Sequence, residues 1–443
     1  MPILPKAAEF LEEALREALK AGASEAIVIS DDSLEHMVRF SNNEVTVAKT
    51  WITSSLSILL VFSGKRIIAH VEELSSNSIR EAIERAKKSA QYLPQPTVEA
   101  PLPREGKFTS EVEIQAPDIG EVVHVVEEAI AGSLIEGIDR AAGVATDGIS
   151  EIHLLSSTGC EGVDRRRGAH LSVRVFSKDG GSGQLAECAT AITKINAKAL
   201  SAEAAQLASV GSKPVEGDEG VYDVVLGPMV VANLFNEVAS LASAFYVEAG
   251  LSFLAQKMGK QVASPKITLI DDATLPDAPA SRLFDGEGTP SKRVTIIKEG
   301  VLQSYLHNVV TAKKFGVEST GHAGWVVPEP SNIILEAGTI SLEEMLSELD
   351  NGIYVTNNWY TRFQNYSSGD FSTICRDALL LVKRGEVMRS LRGLRISDNL
   401  ERMIKSVEGV SKDRRWISWW EAEHPVLAPY LLVKSVRFTR AQS

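Results

Sequence analysis

A histidine in a glycine-rich loop is the first side chain whose type suits acid–base chemistry. His322 lies in the run Ser-Thr-Gly-His-Ala-Gly at 319–324, and an imidazole changes its charge close to neutral pH. Asp370, in the run Ser-Ser-Gly-Asp-Phe-Ser at 367–372, is a carboxylate that could orient such a base. His322 with Asp370 is therefore one candidate hydrolytic site, although a lone loop histidine more often has a structural hydrogen-bonding role.

Aromatic and arginine side chains gather in two other segments. Trp, Tyr and Arg dominate binding interfaces because they bury a large area and still offer a polar group. Neither segment has an obvious proton carrier, so both favour contact with a peptide or a protein partner over catalysis. The alternative for residues 357–363 is that core aromatics pack beside a buried ion pair, and for residues 414–420 it is that the tryptophans fill the core and the arginines are solvated. The first segment contains Trp359, Tyr360 and Arg362, and the second contains Arg414, Arg415, Trp416, Trp419 and Trp420.

The sequence contains no zinc-peptidase motif. No histidine is followed directly by glutamate anywhere in the chain, so neither H-E-x-x-H nor H-E-x-x-x-H occurs. The three cysteines, Cys160, Cys188 and Cys375, lack C-x-x-C spacing and cannot form a disulfide framework. We interpret them as small buried residues of a protein from a reducing compartment.

The composition is typical of a folded, acidic protein. The 443 residues are 44% hydrophobic, and 46 Lys and Arg against 58 Asp and Glu give a net charge of -12. Such a chain lacks the positive field that attracts a phosphate backbone, so we expect no direct contact with nucleic acid. No apolar run approaches the roughly 20 residues of a membrane helix, and the first residues lack a signal-peptide core. We therefore expect no membrane association and a cytoplasmic location.

Helical and strand patterns alternate along the chain and predict an α+β fold. The length indicates two or three domains. We place an N-terminal α+β region, a sheet with flanking helices, at 1–93, and a linker with a middle α+β region at 94–220. A larger C-terminal region rich in antiparallel strands occupies 221–443.

Several individual elements follow from periodicity and turn signals. Alternating or continuous apolar residues predict separate strands at 26–30 and 37–40. An alanine-rich stretch at 228–254 predicts one or two buried helices. A glycine turn between apolar runs predicts a β-hairpin at 293–306.

A series of short motifs occurs in order along the chain. They are R-F-S-N-N-E-V (39–45), F-D-G-E-G (284–288), I-I-K-E-G-V-L-Q-S-Y (296–305), A-K-K-F-G (312–316), S-T-G-H-A-G (319–324), S-G-D-F-S (368–372), L-V-K-R-G-E-V (381–387) and I-S-D-N-L (396–400). Together they closely resemble the TldD/PmbA family, historically labelled modulators of DNA gyrase. The resemblance covers essentially the whole chain and implies a similar α+β fold.

The resemblance also distinguishes two branches of that family. TldD-type chains carry H-E-x-x-x-H on a helix early in the C-terminal domain and a cysteine ligand near the C-terminus, and they are zinc peptidases. The equivalent positions here are Asn236, Glu237 and Leu241, and no cysteine follows Cys375. An amide is a poor zinc ligand, leucine is none, and Glu237 without a metal has no bound water to activate. The chain thus resembles the PmbA (TldE) branch, with no cofactor of its own and zinc only in a TldD-like partner.

Glu237 lies on a predicted helix that is otherwise mostly apolar. If that helix is buried, the carboxylate must be paired, hydrogen-bonded or protonated, because an unpaired buried charge is too costly. We expect backbone or side-chain donors to hold it.

The function implied by the resemblance is that of a non-catalytic subunit. A TldD–PmbA-type metallopeptidase complex would hydrolyse short or unfolded peptides, with zinc and general base supplied by the TldD-like chain. A homodimer in isolation stays open. Candidate contacts to substrate or partner are Trp359, Tyr360, Arg362, Trp419 and Trp420. The alternatives are an independent hydrolase at His322 and Asp370, and a regulatory binding protein of the gyrase-modulator type without chemistry.

Overall fold

Long strands with alternating burial build the first part of the molecule. The computed structural model describes residues 7–110 and 115–441. The elements up to residue 210 are a 3₁₀ turn (Ala7–Phe10), α1 (Leu11–Lys20), β1 (Glu25–Ser41), β2 (Glu44–Phe62), β3 (Lys65–Val71), α2 (Ser76–Ala90), β4 (Gly106–Thr109), α3 (Ile119–Ser133), β5 (Ile138–Ser156), β6 (Cys160–Ser177), β7 (Ser182–Ala189), a second 3₁₀ turn (Ile192–Lys194) and α4 (Ala197–Val210).

These strands form a single sheet within the described residues. Its order is β3-β2-β1-β5-β6-β4, and β7 pairs with residues 169–176 of β6. The sheet contains strands from both sides of residue 93, so the predicted first and middle regions share it. Helices α1 and α2 bury their apolar stripes against one part of the sheet, and α3 and α4 pack in the larger core. Residues 1–6, 111–114 and 442–443 of the predicted regions lie outside the described residues.

The prediction of two separate strands at 26–30 and 37–40 is wrong. β1 continues without a break over 17 residues from Glu25 to Ser41. Asp32, in the middle, is buried on the core face because its carboxylate accepts hydrogen bonds from the Ala7 amide and the Ser54 hydroxyl. From sequence periodicity alone, such a carboxylate predicts the end of a strand. Here its hydrogen bonds allow the strand to continue.

The second part of the molecule has shorter elements around one long helix. They are β8 (Val215–Glu216), β9 (Gly220–Leu226), α5 (Pro228–Leu241), α6 (Ala244–Glu248), β10 (Leu269–Asp272), β11 (Arg293–Lys298), β12 (Val301–Leu302), α7 (Val309–Phe315), β13 (Ile333–Leu335), α8 (Leu342–Ser347), β14 (Asn351–Asn365), β15 (Asp370–Lys383), β16 (Glu386–Arg392), β17 (Leu394–Asn399), α9 (Leu400–Lys405), β18 (Val407–Trp419) and β19 (Ala422–Arg440).

A mixed sheet of 12 described strands organises this part. Most of its pairs are antiparallel, while β9 runs parallel to β14. The predicted hairpin forms, with Ile297 paired to Leu302 and Lys298 to Val301, although β12 has only two residues. The fold class is α+β, as predicted. No helix within 7–110 or 115–441 is long and apolar enough to cross a membrane.

One hydrophobic core joins the two parts. It runs from Val38 and Phe40 on β1, through α3, α4 and α5, to Phe438 on β19. The central strand β19 contacts β9, β13, β17 and β18. The two halves therefore share buried surface, and neither sheet packs independently of the other.

Truncation of Phe438 tests how strongly β19 anchors this core. Its side chain is 1% exposed and packs edge-to-face on Tyr222, with ring centroids 5.8 Å apart. Phe438→Ala is expected to lower the free energy of unfolding by about 3–5 kcal/mol, because it removes buried surface and leaves a cavity. Met388→Ala, on exposed strand β16, is the control and should change it by less than about 0.5 kcal/mol. Equal thermal melts for the two variants would contradict the central role of β19.

Candidate functional site

Helix α5 is buried on almost every side. It begins with proline at its first position, where the fixed φ suits a helix and no amide donor is lost. Of its 14 residues, 12 are buried, whereas a surface helix shows one apolar stripe. Its few polar side chains must therefore find partners inside the protein.

Asn233 is the polar side chain that binds α5 to the strands beside it. Its Nδ2 donates to the carbonyl oxygen and to Oδ1 of Asn358, at 3.0 and 2.9 Å. Its Oδ1 accepts a hydrogen bond from the Trp419 indole at 2.6 Å. Asn358 in turn donates to the hydroxyls of Thr361 and Thr373. This buried network fixes the middle of β14 and the end of β18 against the helix.

The two positions that resemble zinc-ligand positions do not fit a zinc ion. The Asn236 Oδ1 accepts a hydrogen bond from the His424 amide at 3.1 Å, so this oxygen holds strand β19. Leu241 is 3% exposed and part of the core, and it has no donor atom. Among residues 7–110 and 115–441, no group of three or more His, Cys, Asp or Glu side chains is placed to hold a metal ion.

Glu237 lies between these two positions and faces a small pocket. The pocket has a volume of about 280 Å³ and is lined by Glu237, Ser240, Leu241, Tyr246, Leu251 and Tyr366. Burial, with the nearby carboxylates of Glu421 and Glu423, raises the pKa of Glu237 to about 7. The structure shows no hydrogen-bond donor for this carboxylate among the described residues, contrary to our expectation. Protonation is therefore what lowers its desolvation cost.

His322 has a different partner from the one predicted. The ring is fully buried, its Nε2 lies 2.7 Å from Asp271 Oδ1, and its Nδ1 donates to the Thr320 carbonyl at 2.8 Å. Burial acts to raise the pKa of Asp271, but His322 and two hydrogen bonds from Ser331 lower it below its ordinary value. Both ring nitrogens are engaged, which is the arrangement of a structural ion pair.

Asp370 is exposed and takes part in a surface turn. Its carboxylate accepts hydrogen bonds from Asn399 Nδ2 at 2.9 Å and from the Ser368 hydroxyl at 2.6 Å. These bonds lower the pKa of Asp370. The predicted pairing of His322 with Asp370 is thus not formed.

Four of the predicted contact residues do come together. Trp359, Tyr360, Trp419 and Trp420 form one aromatic cluster, with neighbouring ring centroids 5.3–6.4 Å apart. Trp419 is only 5% exposed, whereas Tyr360 and Trp420 are 45% and 52% exposed. The cluster therefore has a buried side and an exposed side.

The arginines near this cluster have separate roles. Arg362 lies 5.9 Å from the Tyr360 ring, at the exposed side. Arg414 donates to the Leu335 carbonyl, and Arg415 pairs with Glu203 at 2.6 Å. The second predicted segment, with half-buried Trp416, is thus divided between the aromatic cluster and contacts elsewhere.

A larger cleft lies between the first sheet and the loops of the second part. It has a volume of about 440 Å³ and includes charged side chains that sequence analysis missed. Strands β1, β5 and β6 form its floor, and segments at 279–282 and 329–331 with His424 form its wall. No sequence motif could have indicated it, because its walls come from segments far apart in the chain. Its charged side chains are Glu35, Arg166, Arg167, Arg282 and Glu329.

Comparison with known proteins agrees with this fold. The family model for the PmbA/TldA metallopeptidase C-terminal domain matches residues 219–440, half of the chain, and the model for PmbA/TldA metallopeptidase domain 1 matches 26–90. The structure of TldE from Thermococcus kodakarensis aligns with a TM-score of 0.84 at 21% identity, over 97% of this chain and 99% of that one. At this identity the structural similarity establishes the fold.

Two curated relatives align with part of the chain. A metalloprotease of Methanothermobacter thermautotrophicus is 28% identical over 202 residues, which are 44% of this chain and 44% of the relative. Metalloprotease PmbA of Escherichia coli O157:H7 is 30% identical over 192 residues, 43% of this chain and 41% of that protein. The chain thus spans less than half of the length of these two relatives.

The fold and these matches together identify the chain as a member of a metallopeptidase family. It belongs to the TldD/PmbA family, as the ordered motifs predicted.

The pKa of Glu237 gives a pH-dependent prediction. Because burial raises the pKa of this carboxyl from the 4.5 of a free glutamate to about 7 in the folded protein, the folded state binds the proton more tightly. Stability should therefore fall as the pH rises through this window, by up to about 3 kcal/mol. Glu237→Gln stays neutral and should be more stable than the parent at about pH 8 but not at about pH 5.

Chemical denaturation at both pH values measures this difference. Glu127→Gln, an exposed glutamate on α3, is the matched control and should follow the parent at both. A Glu237→Gln variant that is destabilised equally at both pH values would show that the carboxylate has an ionic partner.

Proposed function

We propose that this chain is the PmbA (TldE)-like, non-catalytic subunit of a cytoplasmic TldD–PmbA-type metallopeptidase complex that hydrolyses short or unfolded peptides. The observation that carries the proposal is helix α5, where Asn236 binds a backbone amide and Leu241 fills the core. A TldD-like partner with H-E-x-x-x-H would supply the zinc and the general base. This chain would complete the peptide chamber and stabilise its partner.

The chemistry of α5 supports a role without hydrolysis by this chain alone. A catalytic zinc site takes three protein ligands with nitrogen, sulfur or oxygen donors and leaves one position open. Here Glu237 has a carboxylate but no neighbouring donor set within the described residues. A glutamate in such a site acts on a metal-bound water, so Glu237 by itself has no nucleophile to activate.

The exposed side of the aromatic cluster supports contact with a partner. Tyr360 has a φ of 59°, a left-handed conformation that is rare for a bulky residue. Glu421 holds this conformation, because its carboxylate accepts hydrogen bonds from the Tyr360 and Thr361 amides at 2.7 and 3.1 Å. Tyr360 and Trp420 thereby present adjacent rings, 5.5 Å apart, to the surface. Aromatic rings held rigidly lose little entropy on binding.

The alternative of an independent hydrolase at His322 loses its support. Both nitrogens of that ring are engaged by Asp271 and Thr320 in the interior, so neither reaches a substrate. A regulatory protein of the gyrase-modulator type has no particular observation in its favour.

Reconstitution tests the division of roles. The purified chain should contain no stoichiometric zinc after dialysis and should not hydrolyse unfolded peptides. Mixing it with a TldD-like chain that carries H-E-x-x-x-H should give an active complex. One zinc per chain in the isolated protein, or peptidase activity that survives removal of the partner, would overturn the proposal.

The two neighbouring tryptophans separate partner contact from core packing. Trp420→Ala should leave the melting temperature nearly unchanged, since the ring is half exposed, and should weaken co-purification with the TldD-like chain. Trp419→Ala should instead lower the free energy of unfolding by about 3–5 kcal/mol, because it removes a buried ring and the partner of Asn233. Undiminished co-purification of Trp420→Ala would exclude the exposed aromatic side as the docking surface.

A further inference from the structure

The cleft between the first sheet and the second part contains side chains of both charges, and three of them, Glu35, Arg282 and Glu329, have no ion-pair partner among the described residues. Its floor consists of two cross-strand rows, Ser33–Ser150–Arg166 and Glu35–Gly148–Gly168. Residues paired across a sheet share a face, so both rows face the cleft. The two glycines lack side chains beside Glu35 and leave the floor open.

Arg282 is a cation without an acceptor. Its Nε and Nη2 are enclosed and have no hydrogen-bond partner, and no carboxylate forms an ion pair with it among the described residues. Burial, with the nearby Arg166 guanidinium, lowers the pKa of Arg282. Leaving a buried charge uncompensated is strongly destabilising.

Two carboxylates that favour the charged form of Arg282, those of Asp271 and Asp285, already have hydrogen-bond partners. Asp271 pairs with His322 and Ser331. Asp285 accepts three backbone hydrogen bonds, each 2.9 Å long. Glu329 also favours the charged form of Arg282 but forms no ion pair with it, so the guanidinium can still bind an anionic group in the cleft.

The same cleft presents two carboxylates without donors. Glu35 on the floor and Glu329 on the wall both line the cavity, and neither accepts a hydrogen bond from another described residue. Burial raises the pKa of Glu35. Both residues are exposed and therefore solvated, and an ammonium group in the cleft would replace that water with charge-assisted hydrogen bonds.

We propose that this cleft binds a small zwitterion, an amino acid or dipeptide with free termini, with its carboxylate on Arg282 and its ammonium group on Glu35 and Glu329. A phosphate would be repelled by the two glutamates, and a metal cation by the two arginines. A volume of about 440 Å³ is within the ordinary range of small-ligand sites, which commonly lie between domains.

The loop that carries Arg282 is held against the sheet by the Asp164 carboxylate. The Asp164 carboxylate accepts hydrogen bonds from Arg166 Nε at 2.8 Å and from the Leu283 amide at 3.1 Å. Since Leu283 follows Arg282, this contact holds the backbone beside Arg282 against β6. His424, on the wall, is attached to α5, because its backbone amide donates a hydrogen bond to Asn236.

Zwitterion binding in this cleft would extend the proposed peptide chamber, but it does not require the TldD-like partner. Calorimetric titration of the isolated full chain with dialanine tests it, so failure of binding and failure of assembly are separate results. N-acetyl-dialanine lacks the ammonium group, and dialanine amide lacks the carboxylate. Inorganic phosphate tests whether the cleft binds a simple anion instead of a zwitterion. We expect saturable binding of dialanine, with affinity at least about tenfold lower for each blocked dipeptide and for phosphate.

Two variants assign the contacts. Arg282→Gln should abolish the preference for dialanine over its amide, and Glu329→Gln should reduce the preference over the acetylated form. Exposed Arg389→Gln and Glu386→Gln on or near β16 are the controls and should bind like the parent. The blocked ligands keep the test valid if Arg282→Gln melts early, because they are applied to the unaltered chain.

Several outcomes would overturn the proposal. They are no binding of dialanine at millimolar concentration, equal binding of the blocked dipeptides, and tighter binding of phosphate. Unchanged selectivity in a folded Arg282→Gln variant would do the same.

Discussion

The near-complete burial of α5 is the constraint on which the site depends. A helix enclosed on all sides cannot leave polar groups to water, so each of its polar side chains is defined by what the neighbouring strands offer. Asn233 receives the Trp419 indole and Asn358. Asn236 receives the His424 amide. Glu237 receives no donor from the part of the chain that the structure describes, and burial raises its pKa to about 7.

This constraint also connects the helix to both binding surfaces. Trp419, held by Asn233, is the buried side of the aromatic cluster whose exposed side is Trp420. His424, held by Asn236, belongs to the wall of the large cleft. Two asparagines on neighbouring turns of one helix thus position strand β19 and the end of β18, and with them the surfaces where a partner and a small ligand would bind.

The sequence predicted the family, the fold class and the position of α5, because these depend on local pattern and on ordered motifs. It could not predict the partner of His322, since Asp271 lies 51 residues away in the chain. It treated Trp419 and Trp420 as one set, although the chain turns between them and exposes only the second. Arg282 gave no signal, because its significance is the absence of an acceptor in three dimensions.

Glu237 and Arg282 are charged groups whose burial costs stability, and this cost points to a role in binding. Replacing a buried polar group by a well-packed apolar one is often neutral or stabilising, so stability alone does not favour Glu237 without a donor or Arg282 without an acceptor. Such costs are typical of sites where a ligand completes the interactions. The positions that correspond to the zinc motif lie on α5, whereas the cleft has a floor of three strands and a wall of separate loops. The positions that correspond to the zinc motif therefore differ from the residues that we propose to bind a zwitterion.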